Sequence, residues 1–349
     1  MIRKIGTLVA LILVILLGAM SVGVVLAAAL PAVQMQPGDT LTVNCPTRII
    51  QHTNTGTQRT FTCKAAPTPK PTPTPKPTPT PTPVQTPFTP PTGGDNVLIG
   101  AGDIAVCGRL NDEATAALLD THAGMIFIAG DSAYSDGAPA DYDACFEPSW
   151  GRHKARIRPA PGNHEYHTPG AAGYFGYFGP AAGPSGEGYY AYDIGTWRVY
   201  SLNSEVISTA QVDWLLADLA ANPSDCIAAY WHHPRFSSEY EGGLRGDDDD
   251  VEPLWDALAD AGAELVLNGH MHRYERMSPI RGVTEVIVGT GGANLRGFGA
   301  ISPTSVVRNA TDHGVLEVTL DASEWSAEFI PIAGKTFTDS FSGSCSPNP

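Results

Sequence analysis

Between residues 67 and 92 the chain carries 12 of its 30 prolines, most of them in Thr-Pro and Lys-Pro repeats. Such a run has no apolar face and few backbone donors. It cannot enter a packed core, and it favours extended polyproline II. At about 3.1 Å per residue, the 26 residues of this run reach roughly 80 Å, the span of a linker or a stalk. The run splits the chain. Before it lies a short segment, residues 31–66, with strand-like Leu41-Thr42-Val43 and Thr60-Phe61-Thr62. That segment is too small to hold itself together without a staple. The organisation expected is a targeting segment at 1–30, a small cysteine-containing β segment at 31–66, a Pro/Thr-rich linker at 67–94, one large domain at 95–340 and a tail at 341–349.

Arg3 and Lys4 precede an uncharged, mostly apolar run from Ile5 to Leu30, with small residues at Ala27-Ala28-Ala29. This reads as a secretory signal, although the run is long enough to span a bilayer as an uncleaved anchor. Either reading puts the rest of the chain outside the cytoplasm, secreted or tethered to the cell surface, with membrane contact only through this segment. Six cysteines follow, an even number that suits disulfides in an exported chain. Cys45 and Cys63 share the small segment and pair there. Cys107–Cys145 and Cys226–Cys345 are the remaining pairs expected, against the alternative of free buried thiols. No two cysteines have C-x-x-C spacing, which weakens a cysteine zinc site. The net charge of −15 makes nucleic acid an unsuitable partner, because non-specific binding needs a basic surface.

From Val97 onward short apolar runs alternate with helical spacing. Val97-Leu98-Ile99 and Met125-Ile126-Phe127-Ile128 are each soon followed by Gly-Asp. Helices are expected from Asn111 to His122, after Thr209 and from Val251 to Ala261. Strands are expected at 189–194, 197–202, 226–231, 264–267, 283–289, 315–320 and 325–331. This is an α/β domain, in which ligands usually sit on loops after strands.

Five polar islands stand where the apolar runs end. They are Gly102-Asp103, Gly130-Asp131-Ser132-Ala133-Tyr134, Gly162-Asn163-His164-Glu165, Trp231-His232-His233-Pro234 and Gly269-His270-Met271-His272. Carboxylate, amide, phenol and imidazole in this mixture suit a pair of transition metals and not calcium. The glycines let the backbone turn sharply, and alternate residues such as His270 and His272 face the same way on extended chain. A lone Gly-Asp means little; five islands in this order are hard to obtain by chance.

In this order the islands resemble the signature of calcineurin-like metallophosphoesterases, GD, GD, GNH[ED], H and GHxH, over about residues 95–340. They are most similar to the purple acid phosphatase branch, because Ala105 replaces a histidine common in other members, Tyr134 stands three residues after Asp131, and residues 269–276 read GHxHxYER. The resemblance implies an α/β/β/α sandwich, two central sheets flanked by helices. It implies one metal held by Asp103, Asp131, Tyr134 and His272, and a second held by Asp131, Asn163, His232 and His270. Two carboxylates and a phenolate suit Fe(III) at the first; the second takes Fe, Zn or Mn as a divalent ion. It makes His164, Asp131 and Asn163 catalytic. His164, and by position His233, would bind substrate.

The implied reaction is hydrolysis of a phosphate monoester on a small molecule, by in-line attack of a metal-bound hydroxide. A phosphodiesterase on the same metals is the alternative within enzymes; an idle, surface-tethered binding protein is the alternative outside them. One departure bears on specificity. The family branch carries a histidine pair some residues after the HxP ligand, and Ser237-Ser238-Glu239-Tyr240-Glu241 has none. The other features read blandly. His122 suits a helix end, His153, His167 and His313 read as surface or supporting residues, and Asp247–Asp250 as a solvated helix start. Gly289-Thr290-Gly291-Gly292 is a turn, since no helix pattern follows it, and Arg273 pairs with an acid.

Overall fold

The residues at 97–101 (Val-Leu-Ile-Gly-Ala) and 125–129 (Met-Ile-Phe-Ile-Ala) carry no polar side chain. A strand without a polar side can only sit where both its faces are covered. In the computed structural model they are neighbouring parallel strands at the centre of a sheet. The structure describes residues 40–44, 48–55, 58–65, 94–243 and 246–345.

The chain divides into two units, Met1–Val84 and Gln85–Pro349. The first holds an antiparallel sheet of β1 (Thr40–Asn44), β2 (Arg48–Thr55) and β3 (Gln58–Ala65), in that order. The two strand-like stretches expected here lie in β1 and β3. The targeting segment, the Pro-rich run and Cys45, with its expected bridge to Cys63, lie outside the described residues.

The second unit runs β4 (Val97–Ala101), β5 (Ala105–Val106), α1 (Asn111–Leu119), β6 (Met125–Ala129), β7 (Ala133–Tyr134), the short turn α2 (Pro139–Asp141), β8 (Ile157–Ala160) and α3 (Ala172–Phe178). It continues with β9 (Tyr190–Ile194), β10 (Trp197–Ser201), α4 (Thr209–Ala221), β11 (Cys226–Trp231), α5 (Glu252–Asp260), β12 (Leu265–Asn268) and β13 (Tyr274–Met277). It closes with β14 (Thr284–Val288), β15 (Ser305–Asn309), β16 (Gly314–Leu320), β17 (Glu324–Pro331) and β18 (Ser340–Ser344). One sheet has the order β18-β17-β16-β4-β6-β8, the other β15-β13-β14-β12-β11-β10-β9; β5 and β7 form a small parallel pair.

Side-chain alternation makes the sandwich. Cys226, Ala228 and Tyr230 of β11, with Leu265 and Leu267 of β12, join one core cluster with Ile99 and Phe127 of the other sheet. The Phe127 and Tyr230 rings meet across the interface at 5.7 Å. The intervening residues Ile227, Ala229, Trp231 and Val266 face the opposite way, onto Leu215 of α4 and Leu254, Trp255 and Leu258 of α5. Ala116 and Leu119 of α1, with Phe146 and Trp150, pack with the six-stranded sheet. The result is the α/β/β/α sandwich that the motif order implied.

In the two large sheets, four strands were not foreseen. Ile157–Ala160 contains an arginine and a proline, yet it is the edge strand of its sheet, where a missing N–H is tolerated. Tyr274–Met277 and Ser305–Asn309 lack a full apolar face. Ser340–Ser344 pairs with β17, so residues 341–344 of the expected tail lie in the six-stranded sheet. Cys345 is bonded to Cys226, and Cys107 to Cys145.

Candidate metal centre

β4, β6 and β8 run parallel in one sheet, and β11 and β12 run parallel in the other. Their C-terminal ends deliver all five polar islands to one edge of the sandwich. Backbone bonds lock the loops together. Asp103 N donates to Gly130 O at 3.1 Å, Ile104 N to Asp131 O at 2.9 Å, and Gly269 N to His232 O at 3.1 Å. Gly289-Thr290-Gly291-Gly292 braces the same region, with Gly291 N donating to Gly102 O at 2.9 Å. It is irregular, bent chain with no helix after it.

Three of the islands turn through left-handed backbone at a non-glycine residue: Asp103 (φ 60°), Asp131 (φ 52°) and His270 (φ 63°). Asp and His are among the residues that tolerate this region, at a cost of order 1–3 kcal/mol each. Gly130 is needed for close approach as well as for its φ of 78°, because a Cβ there would lie 2.4–2.6 Å from side-chain atoms of His232.

Seven side chains converge. Tyr134 Oη lies 2.9 Å from Asp103 Oδ1, 3.0 Å from Asp131 Oδ2 and 3.1 Å from His272 Nε2, and His272 Nε2 lies 3.2 Å from Asp103 Oδ1. On the other side, His232 Nε2 lies 3.3 Å from Asp131 Oδ2 and 3.1 Å from Asn163 Oδ1. His270 Nδ1 lies 3.1 Å from Asn163 Oδ1 and 3.3 Å from His232 Nε2. These are two sets of four donor atoms that share Asp131 Oδ2. Ligand atoms about 2.1 Å from one ion stand roughly 3.0 Å apart at right angles and roughly 3.4 Å apart in a tetrahedron. The observed edges fall in that range.

Hydrogen bonding alone does not satisfy this cluster. Tyr134 has one proton for three acceptors, and Asp103 Oδ2 is buried with no partner. Ala129 O, 2.9 Å from His232 Nδ1, and Asn294 O, 2.9 Å from His272 Nδ1, fix both rings so that Nε2 points inward. Burial disfavours a charge on His232, but the adjacent Asp131 carboxylate outweighs it and lifts the pKa to about 10. Burial together with the Asp103 and Asp131 carboxylates pushes the Tyr134 phenol well up. The site therefore concentrates negative charge and lone pairs on two points, an arrangement that fits two cations.

His164 stands over the cluster. Its backbone N donates to Asp131 Oδ1 at 2.9 Å, and its ring lies 4.3 Å from that of Tyr134, with Nε2 3.8 Å from Asp131 Oδ2. Its Nδ1 faces Ser135 O, as does that of exposed His167. His233 stacks on His270 at 4.0 Å, and its two nitrogens face Asp248 Oδ2 at 2.8 Å and Glu205 Oε1 at 3.1 Å. Burial opposes its charge, but these acids raise its pKa to about 9. His233 thus has both nitrogens turned to acids, and Asp248 of the four-Asp run supports it besides capping the helical turn before α5. His153 is buried beside Asp120, His313 bonds Ala293 O, and Arg273 pairs with buried Glu275 at 3.1 Å.

Two supporting residues had no role assigned from sequence. Glu165 is buried; burial and the Asp131 charge push its carboxyl up, while the backbone N–H groups of Gly162 and Ser132 favour its ionised form. It accepts from the backbone N–H of Asp131 (2.9 Å), Ser132 (2.9 Å) and Gly162 (2.7 Å), and from Tyr142 Oη (3.2 Å). Its place directly after Asn163-His164 was the available signal. Tyr240, in the histidine-free stretch 237–241, donates to His270 O at 2.6 Å and accepts from His272 N at 3.3 Å.

Residues 96–274, just over half of the chain, match the family model described as calcineurin-like phosphoesterase. The chain belongs to the calcineurin-like phosphoesterase family. That family is one of phosphoric ester hydrolases. Among curated proteins, Purple acid phosphatase 15 of Arabidopsis thaliana is 25% identical over 240 residues, which cover 55% of this chain and 45% of that protein. Among solved structures, purple acid phosphatase PPD1 from yellow lupin (Lupinus luteus) seeds has a TM-score of 0.60 at 21% identity, over 71% of this chain and 53% of that one. GAP50, the anchor in the inner membrane complex of Plasmodium, has a TM-score of 0.58 at 15% identity, over 72% of this chain and 89% of that one. The chain spans about half the length of the two purple acid phosphatases, and the structural likenesses speak to the fold.

Proposed function

We propose that this protein is an exported dinuclear-metal phosphoesterase that hydrolyses phosphate monoesters of small molecules. The observation that carries the reading is the pair of four-donor sets sharing Asp131 Oδ2. Asp103, Asp131, Tyr134 and His272 would hold one ion, and Asp131, Asn163, His232 and His270 the other. Fe(III) suits the first, because a phenol held neutral by two carboxylates gives up its proton only to a strongly Lewis-acidic cation; a divalent Fe, Zn or Mn suits the imidazole-rich second. Such a pair, once bound, lowers the pKa of a water and neutralises charge on the phosphoryl oxygens.

The chain's own residues do the rest. Asp131 fixes the spacing of the two points, Asn163 orients the second set, and His164 stands where it can donate to a phosphate oxygen or to the departing ester oxygen. His233 is better read as support for His270 than as a substrate contact. Residues 95–340, extended through the strand ending at Ser344, are the proposed catalytic domain. Export rests on residues 1–30 and agrees with the two disulfides of the second unit.

The rival is a tethered binding role, since the fold is shared with a protein described as an anchor. An idle protein has no use for the full donor set. The deciding experiment measures metal content together with turnover of p-nitrophenyl phosphate and its bis-ester. The proposal requires about two metal ions per chain and faster turnover of the monoester. In His270→Ala, the second ion and nearly all turnover should be lost while the fold survives. A metal-quantified His270→Ala protein with full activity would refute the assignment.

A further inference from the structure

We infer that Arg296 is the residue that selects monoesters over diesters at this site, a reading that rests on the phosphoesterase proposal. Segment 294–296 is tied to the first metal set at two points. Asn294 O is bonded to His272 Nδ1 at 2.9 Å, and Arg296 N donates to His272 O at 2.9 Å. The Arg296 guanidinium lies over the Tyr240 ring, 5.3 Å from its centroid. The hydroxyl of that ring is bonded to the backbone of both His270 and His272. The guanidinium is therefore held against the ring whose hydroxyl braces the backbone of His270 and His272.

Its state distinguishes it from the other arginines nearby. Arg273 is buried and spent on Glu275 and on the carbonyls of Ser238 and Glu239. Arg235 is paired with Asp249. Arg296 is exposed, and among the described residues it forms no ion pair like those of Arg273 and Arg235. The stretch it leans on, Ser237 to Glu241, has no cationic side chain of its own. An unpaired cation laid across an aromatic ring beside an anion-activating centre is a ready phosphate contact.

The chemistry gives the selectivity. A monoester has three terminal oxygens. If the two bound ions engaged two of them, one would remain for a guanidinium, whose parallel N–H groups match it. In a diester that third oxygen is esterified and accepts only weakly. The charge contact therefore stabilises monoester and orthophosphate binding and contributes little to diester binding.

The test compares wild type with Arg296→Ala and Arg296→Lys, all metal-loaded. A hydrogen bond to a charged group is worth enough to shift binding about ten- to a hundredfold. In Arg296→Ala the KM for p-nitrophenyl phosphate and the inhibition constant for orthophosphate should both rise by that factor. KM for bis(p-nitrophenyl) phosphate should stay within about twofold, and lysine should restore part of the loss. Unchanged monoester KM and orthophosphate inhibition would overturn the inference while leaving the enzyme reading intact. If wild type hydrolyses neither ester, that reading fails by itself. Orthophosphate titration calorimetry then decides on Arg296, with equal affinity in wild type and Arg296→Ala overturning it.

Discussion

Tyr134 has one proton and stands within 3.1 Å of two carboxylate oxygens and an imidazole nitrogen. A cation bound there would relieve that crowding of acceptors. Ala105 occupies the position where other family members carry a histidine, so the first set has no fourth donor without the phenol. A phenolate on Fe(III) gives a visible charge-transfer band. Iron-loaded, oxidised protein is expected to be pink to purple. Tyr134→Phe should lose most of the band while Asp103, Asp131 and His272 retain most of the iron. The measurement is the visible spectrum against iron content; an unchanged band in Tyr134→Phe removes the tyrosine from the ligand set.

At the scale of elements, the site is a problem of holding loops that leave different strands. Glu165 does this for two of them, joining the loop after β6 through Asp131 and Ser132 N–H to the loop after β8 through Gly162 N–H. A carboxylate offers two acceptor oxygens to these donors. Glu165→Gln turns one into an NH₂ that faces N–H groups, leaving buried donors without partners. Metal affinity is expected to fall about 10–100-fold, as it does when outer partners of ligands are removed. Saturating metal should restore most of kcat, since Glu165 touches no reacting atom. Metal titration followed by activity checks this, and loss of kcat that saturating metal does not restore counts against a positioning role.

At the scale of the whole molecule, buried titratable groups set how stability follows pH. His153 is buried beside Asp120 and Ala116, and burial, with Arg152 alongside, lowers its pKa to about 4 from 6.5. As pH falls through 6.5 the unfolded chain takes up the proton and the folded one does not, so stability is lost between about pH 6.5 and 4. The difference corresponds to about 3 kcal/mol by the time pH reaches 4. His153→Gln, which does not titrate, should be less stable at pH 7 and should lose less on acidification. Urea midpoints at pH 7 and pH 4 test this; equal losses in both proteins would exclude His153 as the source.

The sandwich, and the residues that its strand ends bring together as candidate ligands, were legible in the sequence for a physical reason. Strands covered on both faces must be apolar, as Val97–Ala101 and Cys226–Trp231 are, and a buried island of Asp, Asn and His at their ends has few uses except to hold ions. Edge strands such as Ile157–Ala160 and Ser340–Ser344 were not legible, because they are short and carry proline, or serine and glycine, residues depleted from or weak in strands. Nor were the supporting contacts. Glu165 binds donors 33 and 34 residues away, Arg296 reaches Tyr240, and Asp248 reaches His233. Sequence by itself determined which side chains are available for metal and where the turns that present them occur, since residue chemistry and strand patterning are local. Tertiary structure alone decided which acids orient the histidines and which arginine is left unpaired against Tyr240, since those depend on how separate loops meet in space.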